Sequence, residues 1–311
     1  MEKKIENLLE IQDLSVSFRM YGNGLEQTEL QVISDLSLTV RPGEILAIAG
    51  SSGSGKSLLA LAVLGLLPDN AAVSGRLYYK GEELTRAWQK QLRGTEIALV
   101  PQSIAYLDPL MRVGGQADGH LRPKMTGKRR EIFDRLGLPK QTERLYPFQL
   151  SGGMARRVLV STALLTGADL MIADEPTPGM GLKQALAALQ MFRDYASEGK
   201  AVVLITHDID LAVEFADRVA VFYAGTTVET ARASDFKEGE EALRHPYSRA
   251  LWNALPQNGF HPIEGFQPYA GNLPKGCLFA PRCPYKTEEC TKTAPPVQKI
   301  RGGEVRCYYA S

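Results

Sequence analysis

Eight residues near the start of the chain have the types and spacing of a phosphate-binding loop. They run Gly50-Ser51-Ser52-Gly53-Ser54-Gly55-Lys56-Ser57 and match G-x-x-x-x-G-K-[ST] at every fixed position. Glycines let backbone N–H groups turn towards phosphate oxygens, the Lys56 ammonium reaches the outer phosphates, and the Ser57 hydroxyl can ligate Mg²⁺. The loop predicts nucleotide binding, and it leaves open whether the chain is a kinase, a GTPase or a transport ATPase.

Other polar side chains that could bind Mg²⁺, activate water or contact phosphate follow short apolar runs, which we interpret as buried strands. One such run ends in Asp174 and Glu175, the next delivers His207, and another ends just before Gln102. Asp174 suits coordination of Mg²⁺ and Glu175 can polarise an attacking water. Because strands of a parallel sheet end at one edge, His207 is favoured as a γ-phosphate contact. Taken alone, the two adjacent acids could simply cap the next element.

A second anion site is predicted at Leu150-Ser151-Gly152-Gly153-Met154, where glycines and a serine introduce a helix. The chain has a use for two phosphate-binding helix starts only if nucleotides bind at two different surfaces of the protein.

The phosphate loop has the strand and helix that it requires. Residues 44–49 are an apolar run suited to a buried strand, and 58–67 read as a helix that stops at Pro68. Strands predicted at 9–18 and 31–40 form a small antiparallel sheet.

Alternating strands and helices then predict an α/β fold with a mostly parallel core sheet covered on both faces. The strands are expected at 75–79, 96–100, 169–173, 201–206 and 218–223, and the helices at 127–136, 154–165, 182–197 and 210–215. The stretch from about 103 to 165 reads as a helical subdomain inserted into this core. The sequence thus predicts a nucleotide-binding domain over 1–235 and a C-terminal extension over 236–311.

Composition and charge narrow the function further. Lys plus Arg is 36 and Asp plus Glu is 35, so the net charge of +1 gives no electrostatic case for binding nucleic acid. No apolar run approaches the ~20 residues of a membrane span, and the charged N-terminus does not resemble a signal peptide. We therefore expect a cytoplasmic protein.

All four cysteines, Cys277, Cys283, Cys290 and Cys307, lie in the last 35 residues. In a reducing compartment such clustering suggests a metal site more than disulfides, and four thiolates suit either zinc or an iron–sulfur cluster.

Together these motifs resemble those of ATP-binding cassette (ABC) transporter ATPases over residues 8 to 235. The resemblance implies that 50–57 is the Walker A loop, Gln102 the Q-loop, 150–154 the signature and Asp174 the Walker B aspartate. It implies catalytic roles for Glu175, His207 and Lys56. It implies Mg²⁺ ligands at Ser57, Gln102 and Asp174, and an adenine-stacking ring at Phe18, with Tyr21 as a fallback. The implied ATP-binding set is Phe18, Gly50, Ser51, Ser52, Gly53, Ser54, Gly55, Lys56, Ser57, Leu58, Gln102, Ser151, Gly152, Gly153 and Met154.

The stretches 145–154 and 245–251, the second of which begins His245-Pro246-Tyr247, narrow the resemblance to the oligopeptide, dipeptide and nickel uptake subfamily. That subfamily's C-terminal extension carries the pattern seen here as Cys-x5-Cys-x6-Cys-x16-Cys. The resemblance implies a four-iron, four-sulfur cluster, with Zn²⁺ or unmetallated thiols as alternatives.

The segment after Glu175 departs from the family pattern. Gly181 occupies the position where the family has a D-loop aspartate. Glycine has no carboxylate to reach across a dimer, so we expect this subunit to pair with a different ATPase subunit whose own ATP site is impaired. The alternative is that a backbone group replaces the carboxylate.

The resemblance implies an ATP-hydrolysing subunit, peripheral on the cytoplasmic face of the membrane, that drives import of peptides or a nickel-type chelate. Its expected partners are a second ABC ATPase, two membrane permeases and an extracytoplasmic solute-binding protein. One alternative is a soluble ABC protein outside transport. Another is an ATPase gated by a redox- or iron-sensing cysteine cluster.

Overall fold

The structure is a computed structural model that describes residues 6–21, 27–51, 53–119 and 126–310. Its strands are β1 Leu9–Tyr21, β2 Gln27–Val40, β3 Ile45–Gly50, β4 Ala71–Tyr79, β5 Glu82–Glu83, β6 Ile97–Val100, β7 Leu170–Asp174, β8 Ala201–Thr206, β9 Arg218–Tyr223, β10 Thr226–Arg232, β11 Val297–Ile300 and β12 Gly303–Arg306. Its helices are α1 Lys56–Val63, α2 Arg86–Leu92, α3 Val113–Asp118, α4 Thr126–Arg135, α5 Gly152–Thr166, α6 Leu182–Ser197, α7 Ile209–Phe215, α8 Ala233–Glu238, α9 Pro246–Asn253 and α10 Glu288–Lys292.

Contacts divide the described chain into two units. The first comprises Met1–Val40, Leu46–Leu84 and His207–Ser311, and the second comprises Arg41–Ile45 and Thr85–Thr206. The predicted C-terminal extension lies in the first unit and the predicted helical subdomain in the second. The domain boundaries named in the sequence analysis stay predictions.

The first unit contains an antiparallel sheet with strand order β2-β1-β4-β5. Its two long strands pair from Leu9 opposite Val40 to Tyr21 opposite Gln27. Both run beyond the predicted strands, because their far ends pair with each other although most of the side chains there are exposed. Apolar alternation, the signal used for prediction, fades there although the backbone ladder continues.

A second group of strands in the first unit places β3, which feeds the phosphate loop, parallel to β9. β9 turns into β10 through Ala224 and Gly225, whose φ angles of 48° and 86° suit a tight hairpin. β10 was missed in the sequence because it contains three threonines and a glutamate and yet is buried. Its Glu229 is only 1% exposed and is paired with Arg244 at 3.1 Å, a compensation that local sequence does not reveal.

The second unit contains β6, β7 and β8 in parallel, and every residue of β7 and β8 is buried. The predicted α/β class with parallel strands and an antiparallel sheet is confirmed. Helix α6 has the predicted bounds. Helix α1, in the first unit, ends at Val63 and not at Leu67, because Gly65 adopts a left-handed φ of 62° two residues later.

Within the described part of the chain, none of the helices has the length and apolar character that crossing a bilayer requires.

Candidate functional site

The phosphate loop leaves β3 at Gly50 and enters α1 at Lys56. The Lys56 side chain is 7% exposed, and its ammonium donates hydrogen bonds to the carbonyls of Gly50 at 2.9 Å and Ser51 at 2.8 Å. The loop therefore folds around its own cation. Gly55 caps the helix with a left-handed φ of 95° and no side-chain hydrogen bond, so backbone N–H groups at this helix start are not blocked by a cap.

Two glycines of the loop meet different requirements. A Cβ on Gly50 would lie 2.4 Å from the carbonyl oxygen of Phe222 on β9, so a larger residue would displace the strand. Gly53 has a φ of 76° with open space around it, so its requirement is conformational. Ser54 is 1% exposed, Ser57 and Leu58 are half-buried, and Ser52 lies outside the described residues.

The two acids lie at the end of β7, as predicted. Asp174 is its last residue at 6% exposed, and Glu175 is 8% exposed. Glu175 has a φ of 48°, a left-handed conformation that is uncommon for a residue other than glycine, and its N–H donates to the Ile205 carbonyl at 2.9 Å. Such backbone is concentrated at functional sites, because the surroundings must hold it in place.

An arginine links these acids to the predicted Q-loop within the second unit. Arg156 of α5 donates to the carbonyl oxygens of Pro101, at 3.3 Å, and of Gln102. Burial lowers the pKa of the Arg156 guanidinium, and the carboxylates of Asp174 and Glu175 act in the opposite direction. The structure thus brings Gln102, Asp174 and Glu175 together around one cation. The side chain of Gln102 itself is exposed.

The predicted signature forms the start of α5. Ser151 is the cap residue, and its hydroxyl accepts a hydrogen bond from the N–H of Met154 at 3.3 Å. Ser151 and Gly152 are exposed, whereas Gly153 packs so closely that an added Cβ would lie 2.6 Å from the carbonyl oxygen of Gly179. This helix start presents its backbone to solvent while its second glycine rests against the loop that follows Glu175.

Three further predicted site residues lie in strand β1 or directly after strand β8. His207 directly follows β8 and is exposed. Phe18 is half-buried in β1, opposite Leu30 of β2, and Tyr21 at the end of the same strand is 70% exposed. The structure leaves Phe18 and Tyr21 as two candidate rings for adenine.

The four cysteines are free thiols that lie near one another. Cys277, Cys290 and Cys307 are buried, and Cys283 is half-buried. Burial raises the pKa of the Cys307 thiol to about 11, and Cys277, Cys283 and Cys290 are close enough to add to this effect. In the residues that the structure describes, no set of three or more His, Cys, Asp or Glu side chains has the arrangement of a metal site. The side chains as placed do not show the predicted iron–sulfur or zinc centre.

Comparison with known proteins decides the family. The profile of the ABC transporter family matches residues 33–178, and that of the oligopeptide/dipeptide transporter C-terminal region matches residues 228–290. The dipeptide transport ATP-binding protein DppD of Bacillus subtilis is 35% identical over 98% of this chain and 95% of its own. DppD of Escherichia coli is 34% identical over 97% of this chain and 96% of its own. The chain belongs to the ABC transporter ATP-binding proteins.

A solved structure supports the same assignment. A dimeric ATP-binding cassette in a post-hydrolysis state with ADP and Pi superposes with a TM-score of 0.63 and 25% identity. The match covers 72% of this ABC protein and 98% of the solved chain. The predicted family, fold class and ATPase activity are therefore confirmed.

Sequence reasoning missed three residues of this ABC ATPase that contact its predicted motifs. Arg156 could have been found, because it is a cation on the helix that begins with the signature. Tyr247 and Gln267 both contact Ser51 of the phosphate loop. Gln267 lies 216 residues from Ser51 in sequence, so no local pattern could have indicated that contact.

Proposed function

We propose that this ATPase drives the import of peptides. The observation that carries the proposal is the extent of the likeness: relatives named for dipeptide transport match along 97–98% of the chain. The likeness thus includes the C-terminal region, whose own profile is that of oligopeptide and dipeptide transporters. A nickel-type chelate is the other predicted solute, and the transport assay below separates the two.

In the proposed reaction Glu175 orients the water that attacks the γ-phosphate. The buried carboxylate and its left-handed backbone give it a fixed position at the end of β7. Lys56 and His207 stabilise negative charge on the γ-phosphate, and the N–H groups at the start of α1 bind the phosphate oxygens. The site residues predicted from the sequence keep these roles as proposals.

The residues proposed to hold Mg²⁺ are Ser57, Gln102 and Asp174. They supply a hydroxyl, a carboxamide and a carboxylate, the oxygen ligands that this hard cation prefers, so the donor set fits. When bound, Mg²⁺ neutralises charge on the phosphates.

A second ATPase subunit completes the proposed site. In the head-to-tail arrangement, the signature of each subunit covers the nucleotide on the other, which fits the exposed Ser151 and Gly152. Gly181 caps α6 without a side-chain hydrogen bond, and no carboxylate is available there to reach the opposite phosphate loop. We therefore expect a heterodimer whose partner site is impaired. If Glu175→Gln left ATP turnover of the complex unchanged, the impaired site would be the one on this chain and not the one on its partner.

The proposed membrane partners need a docking surface, and the second unit has a group of five exposed apolar side chains, four of which lie within nine residues of Gln102 in sequence. We propose that coupling helices of two permeases bind there, that the ATPase lies on the cytoplasmic face of the membrane, and that an extracytoplasmic binding protein delivers the solute. The exposed side chains are Ile104, Tyr106, Leu110, Met111 and Phe148.

A metal centre at the four cysteines is a separate proposal, with a 4Fe-4S cluster as first candidate and Zn²⁺ as second. It is supported by the convergence of four thiols and opposed by the absence of metal-site geometry among the described residues. Iron, sulfide and zinc analysis of anaerobically purified protein decides between them. Colourless protein free of iron and zinc would overturn both.

The transport proposal is tested by ATP hydrolysis in the assembled complex with permeases, partner ATPase and binding protein. Peptides are expected to stimulate hydrolysis, and the Glu175→Gln complex provides the background rate. Stimulation by a nickel chelate alone would contradict peptide import. A rate of ATP hydrolysis that neither peptides nor the nickel chelate changes would favour a role outside transport.

A further inference from the structure

Ser51 of the phosphate loop is held by two side chains of the C-terminal extension, residues 236–311. The Ser51 hydroxyl donates a hydrogen bond to Oε1 of Gln267 at 2.6 Å. The Tyr247 hydroxyl lies beside Ser51: burial raises the pKa of Tyr247, and the side chain and backbone of Ser51 act in the opposite direction as hydrogen-bond partners. All three residues belong to the first unit. A loop expected to be held by its own strand and helix is thus also tied to a distant part of the chain.

Ser51 also helps to hold the phosphate-binding lysine. Its carbonyl oxygen accepts a hydrogen bond of 2.8 Å from the Lys56 ammonium, which also donates one of 2.9 Å to the carbonyl oxygen of Gly50. Gly50 cannot move easily, because it lies against the backbone of Phe222. Ser51 is therefore where a contact from outside the loop can alter the position of the lysine and of the loop's N–H groups.

Tyr247 is well placed to fix Ser51 because its own ring is immobilised. It is 2% exposed, and its centroid lies 4.5 Å from that of Tyr223 and 5.3 Å from that of Phe279. The Arg282 guanidinium lies over the rings of Tyr223 and Phe279 at 5.9 and 6.0 Å. A buried ring in such a cluster cannot shift without displacing its neighbours.

The same cluster leads to the cysteines. Phe279 lies between Cys277 and Cys283 in sequence, is 2% exposed, and shares one hydrophobic core with Tyr247 and both cysteines. A continuous series of packed side chains thus runs from the cysteine segment through Phe279 and Tyr247 to Ser51.

We propose that Tyr247 and Gln267 are positioning residues for the phosphates of ATP, acting through Ser51, and that the cysteine segment reaches the phosphate loop through Phe279. This inference rests on the ATPase activity and goes beyond the transport proposal. It assigns to the C-terminal extension a part in nucleotide binding that is exerted through Ser51.

The test uses Tyr247→Phe, which keeps the ring and removes the hydroxyl, and Gln267→Ala at the other contact. Each is expected to weaken ATP affinity of the chain, measured by displacement of a fluorescent ATP analogue, by about three- to ten-fold, the range for one lost hydrogen bond. In the assembled complex KM for ATP should rise by a similar factor, while kcat at saturating ATP changes little. Phe279→Leu should also raise KM for ATP, but by a smaller factor than Tyr247→Phe or Gln267→Ala.

Two matched controls separate positioning from general support of the extension. Tyr308→Phe removes another hydroxyl of the extension, one that bonds with Thr293 and the Ala294 carbonyl. Phe266→Ala changes the exposed neighbour of Gln267. Neither residue has a described contact with Ser51, so both variants should bind ATP as the unmodified chain does.

A double variant identifies Ser51 as the intermediary. In a Ser51→Ala background, Gln267→Ala should have no further effect on ATP affinity, because their hydrogen bond is already lost. Unchanged affinity in both Tyr247→Phe and Gln267→Ala, with or without a fall in thermal midpoint, would overturn the proposal. Because affinity is measured without hydrolysis, this result is distinct from any failure of peptide import.

Discussion

Two helices of this ATPase begin at glycine-rich turns, and the two starts are built in different ways. At α1 the cap is a left-handed glycine, the adjacent Lys56 is buried, and loop carbonyls hold its ammonium. At α5 the cap is Ser151, which is exposed, as is Gly152. The first start carries its own cation, which the loop holds in a buried position. The second offers open backbone, which suits a nucleotide bound by another subunit.

The largest effect that the comparison predicts is at the first helix start. Lys56→Met should lower ATP hydrolysis by about 10²–10³-fold, because the only cation of the loop stabilises charge that develops on the transferred phosphoryl group. Phosphate release by the assembled complex measures the rate. The thermal midpoint should show that the variant is folded, and turnover within ten-fold of the unmodified rate would contradict the role of Lys56.

At the second helix start, we expect an added side-chain atom at Gly153 to lower the stability of the protein. Gly153→Ala places a Cβ against the backbone of Gly179, and overpacking of this kind costs about 1–3 kcal/mol, a fall of several degrees in the thermal midpoint. Gly152→Ala is the matched control, because nothing lies within 4 Å of its added Cβ. Equal thermal midpoints for the two variants would show that Gly153 does not rest on Gly179 in solution.

Arg156, which lies one turn beyond the second start, should have a moderate effect. Arg156→Gln removes a charge-assisted hydrogen bond to the Gln102 carbonyl and the cation beside Asp174 and Glu175. Such a bond contributes about 1.5–3 kcal/mol, so we expect kcat to fall by about ten-fold. Arg156→Lys keeps the charge and should lose less. If the two variants were equally impaired, geometry and not charge would be the property that matters.

The smallest expected effect is on the cap itself. Ser151→Ala removes the acceptor for the Met154 N–H and should cost about 1 kcal/mol of stability, whereas Ser151→Gly should cost only a few tenths. Chemical denaturation of the isolated chain measures both. A larger loss with glycine than with alanine would contradict capping as the source of the difference.

The sequence predicted the parts of this site that depend on local pattern. The phosphate loop, the strand that ends in Asp174 and the serine at the start of α5 all lie where residue type and spacing placed them. Strand β10 was missed because its buried Glu229 is compensated by Arg244, which follows it by 15 residues. The contacts of Ser51 with Tyr247 and Gln267 were missed for the same reason, since tertiary packing brings together residues that no short pattern connects. The cysteine pattern predicted a cluster of thiols but not the metal geometry, which the side chains do not show.

The most direct test of the contrast between the helix starts is ATP affinity of the isolated chain, compared with hydrolysis by the assembled complex, for Lys56→Met and Gly152→Asp. The account predicts that Lys56→Met weakens ATP binding by the chain itself. It predicts that Gly152→Asp leaves that binding unchanged and still abolishes hydrolysis by the complex, because an added carboxylate repels the phosphates on the partner subunit. If Gly152→Asp weakened binding by the isolated chain as much as Lys56→Met does, both helix starts would serve the same nucleotide, and the account would be contradicted.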